Sequence, residues 1–147
     1  MSSRRKAREL ALQYLYCIDL NQEGFSEKGL KQFWSDHETA EGLRAFTERL
    51  IRGVVAERAN IDGMIQTYAE NWSLDRIAAV DRNVLRLAVY EILKEPDIPL
   101  NVTINEAIEV ARKFSSDESG TFINGLLDRI GKVMRKEEPV KTGRRTG

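Results

Sequence analysis

"LDRIAAVDRNVLRLAVYEIL", residues 74–93, decides the fold. From Val80 onward the apolar residues Val80, Val84, Leu85, Leu87, Ala88, Val89 and Ile92 nearly encircle a helix. A helix that is apolar on most sides sits in the interior, because no face of it is suited to water. Such a helix needs neighbours that each offer one apolar stripe. "EPDIP" (95–99) ends it with two prolines, which cannot continue a helix. Ser73 is placed to cap the short helical turn at "LDRIA".

The flanking sequence supplies those stripes. Upstream, Ala7, Ala11, Tyr14, Leu15 and Ile18 mark a first helix over residues 4–20, closed by "NQEG". Residues 27–34 read as a short helix with Leu30, Phe33 and Trp34 inward. After "SDHE", Leu43, Phe46, Leu50, Ile51, Val54 and Val55 mark a long helix. Ile61, Met64, Ile65 and Tyr68 continue the pattern beyond a break expected near Ala59–Asn60. Downstream, Ile104, Ala107, Ile108 and Ala111 define one helix. Phe122, Ile123, Leu126, Leu127, Ile130 and Val133 define the last, entered through the capping residues of "SSDES". No segment alternates as a half-buried strand does. The expected fold is all-α, with about seven helices packed as two bundles that share one long helix. It forms a single domain over residues 1–134, followed by a basic tail (135–147) expected to be disordered.

The 147 residues suit one compact domain, at 41% apolar and 31% charged. No apolar run approaches the roughly 18–20 residues of a membrane span, and no signal-peptide core follows the basic start. The single Cys17 excludes an internal disulfide and fits a reducing cytosol, so a cytoplasmic protein is expected. Its helical position suggests a small buried residue. Net charge is zero but uneven: residues 1–9 carry +3, residues 132–147 carry +4 and the body between carries −7. Basic ends suit a polyanion, and an acidic body leaves room for a basic partner.

An enzyme needs a constellation of reactive groups, and the sequence offers none. Phosphate-binding and dinucleotide-binding glycine motifs are missing. His37, the only histidine, falls in a loop and reads as solvated, since the sequence does not place a nucleophile and an orienting acid for it to work with. Cys17 and His37 are too few for zinc, which takes about four ligands. Neither catalysis nor a cofactor or metal is expected.

Binding is the stronger reading. Arg4, Arg5, Lys6 and Arg8 open the first helix, where the macrodipole favours acids instead. Their guanidinium and ammonium groups suit phosphates. Gln13 and Tyr16 follow on the same helix, one able to read base edges and the other to stack. Arg82 and Arg86 share a face of the central helix and would repel unless paired or meeting an anion. Asn124-Gly125 inside the last helix suggests a buried polar anchor and a close helix approach. Asp75 and Asp81 read as solvated surface acids.

Taken together, "RRKARELALQYLY", "LDRIAAVDRNVLRLAVYEIL", "DIPLNVTINEAIEVARKF" and "FINGLLDRI" resemble the NusB family of transcription antitermination factors, over residues 4 to about 134. The resemblance implies two three-helix bundles with a connecting helix, and no enzymatic activity. It implies binding of boxA RNA, notably in ribosomal RNA leaders, together with NusE, a small-subunit ribosomal protein. Other Nus factors and RNA polymerase would be engaged indirectly. On this pattern Arg4, Arg5, Lys6, Arg8, Gln13 and Tyr16 fall on one wall of the RNA site. Phe114, Glu118 and Phe122 fall on the other. The family often carries Asp where Glu118 stands, one methylene shorter. Asp75, Asp81 and Arg86 match the region that faces NusE and the adjoining RNA. A NusB-like domain also begins certain RNA cytosine methyltransferases, but the chain ends before a catalytic domain could start. A pure protein scaffold with an incidental basic arm is the third reading.

Overall fold

The computed structural model describes residues 3–37, 41–70 and 72–135. The described residues form seven α-helices and one 3-10 turn, with no strand. The helices are α1 (Ser3–Asn21), α2 (Glu27–Asp36), α3 (Glu41–Ala56), α4 (Arg58–Tyr68), α5 (Ala79–Lys94), α6 (Leu100–Phe114) and α7 (Asp117–Met134). The 3-10 turn, Leu74–Arg76, leads into α5.

Helix α5 is the hub, as its all-round apolar pattern requires. It packs against α1, α3, α4, α6 and α7. Leu85 and Val89 are fully buried, and Val84, Leu87, Ala88 and Ile92 nearly so. Its approach to α3 depends on Gly53. A Cβ there would lie 2.2 Å from Cε1 of Tyr90, closer than any packed carbon can sit. Gly131 plays the same part between α7 and α6, where a Cβ would meet the Leu100 side chain at 2.7 Å. The close approach expected at Gly125 is not there: that glycine faces open space, and Asn124 is exposed, not buried. Both lie off the Ile123–Leu126–Leu127–Ile130 stripe that α7 turns inward.

Local chemistry sets the helix ends. Ser26 and Ser116 cap α2 and α7 by accepting from the N–H groups of Gly29 and Ser119. Ser73 makes no such bond. Gln66 holds that loop instead, donating to the carbonyl of Trp72 and accepting from the N–H of Leu74. The break between α3 and α4 falls at Glu57, earlier than the apolar pattern suggested. Cys17 is exposed, because α1 is leaving the core there: Ile18 is half-buried and Leu20 exposed. His37 follows α2, stacked on Phe33 with its Nδ1 hydrogen-bonded to the Phe33 carbonyl.

Arg135 belongs to the fold, not to the tail. It is 9% exposed and donates to the carbonyls of Glu91, Ile92, Glu95 and Ile98. The last carbonyls of a helix have no partner within it, so a guanidinium placed there is stabilising. The remainder of the tail, 136–147, lies outside the described residues.

Candidate nucleic-acid interface

The basic arm does not act as one unit. Arg5 donates from Nε and Nη2 to the Glu106 carboxylate, both at 2.8 Å, and fastens α1 to α6. That hydrogen bond holds Glu106 below the usual carboxylate range and raises Arg5. Arg4 lies exposed with its guanidinium 4.4 Å from the centre of the Phe46 ring on α3. Lys6 is exposed and has no hydrogen-bond or ion-pair partner among the described residues.

Arg8 corrects the sequence reading. It is 6% exposed and donates to both oxygens of Glu91, at 2.7 and 2.9 Å. Thr103 also donates to Glu91, so this buried pair ties α1, α5 and α6 together. A guanidinium held this way is not available to a phosphate.

Helices α1 and α6 run side by side in the same sense, pinned by Arg5–Glu106 and by Lys113 on Glu9 at 3.1 Å. Lys6, Gln13 and Tyr16 therefore lie along the edge of α1 that carries Glu9, beside the C-terminal end of α6. Gln13 and Tyr16 are half-buried. Phe114 ends α6 exposed, with the Lys113 ammonium 5.5 Å from its ring. The capped start of α7 follows directly and exposes Glu118.

Glu118 and Phe122 line one cleft of about 280 Å³, together with Trp72, Arg76, Ile77, Asp81, Ser116 and Ser119. Trp72 is half exposed, and sequence reasoning missed it. Its signal was legible: a tryptophan in a polar segment, "ENWSLDR", with no apolar stripe to join. Asp81 is not a solvated surface acid. It is 8% exposed, accepts from Ser119 Oγ at 2.8 Å, and leaves Oδ1 without a partner.

The Leu74–Arg76 turn divides this cleft from a second, polar one that contains Asp75, Asp19, Asp62, Arg58, Arg82 and Arg86. Asp75 is exposed. Arg86 is 2% exposed and committed to Asp62, Asp19 and Asn83, so the expected partner-facing role does not hold for its charge. Arg82 also reaches Asp19. The repulsion expected between these two arginines is cancelled by one shared carboxylate. Burial pushes the Asp19 carboxyl up, but hydrogen bonds from Asn83 and Arg82 and the nearby arginine charges outweigh it and leave it lowered. Asp75 and Arg86 thus line one cleft and Asp81 the other.

The described residues hold no group of three or more His, Cys, Asp and Glu suited to a metal, and no helix long and apolar enough to cross a membrane.

The NusB family model matches residues 5–132. The chain is 48% identical over 145 residues to the transcription antitermination protein NusB of Geotalea uraniireducens, covering 94% of this chain and all of that one. It is 50% identical over 128 residues to that of an Anaeromyxobacter species, covering 86% and 88% of the two chains. A NusB structure from T. maritima superposes with a TM-score of 0.84 at 40% identity, covering 93% of this chain and 96% of that one. Antitermination factor NusB, in a crystal structure with NusE and double-stranded RNA, superposes with a TM-score of 0.81 at 26% identity, covering 90% and 98%.

Proposed function

The chain belongs to the NusB family, and on that premise we propose that it is a transcription antitermination factor that binds boxA RNA of nascent transcripts together with NusE. The match to NusB proteins over nearly the whole chain carries this reading. Ribosomal RNA leaders are the expected transcripts, and the bound complex helps assemble the remaining Nus factors on RNA polymerase. The protein works by binding in the cytoplasm, with neither catalysis nor a cofactor.

The exposed chemistry supports a division of labour. Arg4 and Lys6 offer phosphate contacts, which give affinity with little sequence reading, while Arg5 is committed to Glu106. Tyr16, Phe114 and Phe122 offer rings for unstacked bases. Gln13 and Glu118 offer polar contacts to base edges. Trp72 adds a ring to the Phe122 cleft. Asp75, which is exposed, suits the basic surface of a ribosomal protein, in keeping with a body of net charge −7.

A titration of boxA RNA against a scrambled RNA, with and without NusE, tests the reading. NusE should raise affinity for boxA selectively, and affinity should fall steeply with salt as counterion release requires. Equal affinity for the two RNAs in the presence of NusE would overturn it.

A further inference from the structure

Three arginines converge on one ring. The guanidinium carbons of Arg4, Arg49 and Arg8 lie 4.4, 5.1 and 5.9 Å from the centre of Phe46. Two of the three are held by carboxylates. Arg8 is bound to Glu91, and Arg49 pairs with Glu95 at 3.0 Å. Arg4 has no ion pair among the described residues, so the ring is its anchor. Phe46 is itself half-buried and packed against the core, which makes it a fixed support.

The geometry matters because a guanidinium has two kinds of surface. Its flat face stacks on an aromatic ring, while its N–H groups point outward in its own plane. A guanidinium stacked in this way keeps every donor available. Stacking also restrains a long side chain that otherwise loses rotamer freedom when it binds. We propose that Phe46 is a positioning residue for RNA binding, a shelf on α3 that holds the Arg4 guanidinium edge-on to an RNA phosphate. The proposal rests on the RNA-binding reading above and extends the functional surface from α1 and α6–α7 onto α3.

The experiment measures boxA RNA affinity in the NusE complex, across a salt series, for wild type, R4A, F46L, R4A/F46L and F46W. F46L should weaken binding about two- to fivefold, the range of an exposed cation–π contact. R4A should weaken it more and lower the salt slope by a little under one, as loss of one phosphate contact does. The double variant should bind no more weakly than R4A, and F46W should restore wild-type affinity. Proton NMR of the free protein gives a second reading. The Arg4 δ-methylene protons should show a ring-current shift that F46L abolishes, whatever its effect on RNA. F46L binding as tightly as wild type while R4A is impaired would overturn the shelf and leave the RNA reading intact. So would equal weakening by F46L with and without Arg4, since Phe46 would then act through the fold. R4A binding as wild type removes both the Arg4 contact and the shelf. Absence of boxA preference in wild type is a different result, and it strikes the functional reading itself.

Discussion

Arg4 and Arg8 are the same residue, one helical turn apart, on the same face of α1. Arg8 lies under the body, doubly bound to the buried Glu91. Arg4 lies past the body, exposed on Phe46. A single turn of about 5.4 Å separates a structural charge from an available one. Residue type and helical phase do not distinguish them. What distinguishes them is how far the neighbouring helices extend, which depends on carboxylates and rings far along the chain.

The largest expected effect tests the buried side of this contrast. Removing one member of a buried ion pair strands the other, at a cost of about 3–5 kcal/mol. R8M should lose stability on that scale in urea denaturation, and R8M/E91M should regain most of it. If R8M lowers RNA affinity without lowering stability, the two arginines are more alike than the structure indicates. Next comes G53A. Its added methyl collides with Tyr90, pushes α3 from α5, and moves the ring beneath Arg4 while leaving Arg8–Glu91 in place. Overpacking of this kind costs about 1–3 kcal/mol, readable as a lower thermal midpoint. R4A is the reverse case. Its stability should change by no more than about 0.5 kcal/mol, as for an exposed site. Its RNA affinity should fall about tenfold, the scale of a charged hydrogen bond.

Arg5 stands between the two, half exposed and paired with Glu106, and gives the smallest effect. Because Arg5 holds Glu106 below the usual carboxylate range, this contribution is complete above the unfolded carboxylate value of about 4.3. Below it, the unfolded chain takes up a proton before the folded chain does, so stability falls as pH falls through the depressed value. E106Q should flatten that part of the acid dependence of the urea midpoint, by about 1 kcal/mol or less for a partly exposed pair. An unchanged acid profile would show that Arg5 resembles Arg4 more than Arg8.

These contrasts also mark what could be read in advance. The all-α architecture was legible because every helix carries its own period, and α5 advertised its central place by being apolar on most sides. The charges were not legible in the same way. Arg8, Asp81 and Arg86 look like surface residues until their partners are known, and Arg8's partner lies 83 residues away. Arg86 meets Asp62 and Asp19 only because α1 and α4 pack against α5. Asn124 and Gly125 misled in the other direction, since a polar residue and a glycine drew attention away from the stripe that leaves both outside. Phe114, Glu118 and Lys6 are exposed, because nothing in the core competes for them.

Arg135 has a consequence for the birth of the protein. Its guanidinium closes the carbonyl end of α5 from a position some forty residues later in the chain. During synthesis that end is made early and lacks this side-chain donor until Arg135 leaves the ribosomal tunnel. The central helix is thus finished almost last. A nascent chain stalled a few residues short would carry every apolar stripe and still lack its latch. Stability measured on ribosome-bound chains of increasing length should therefore rise in a step as residue 135 emerges, after the core residues are already out.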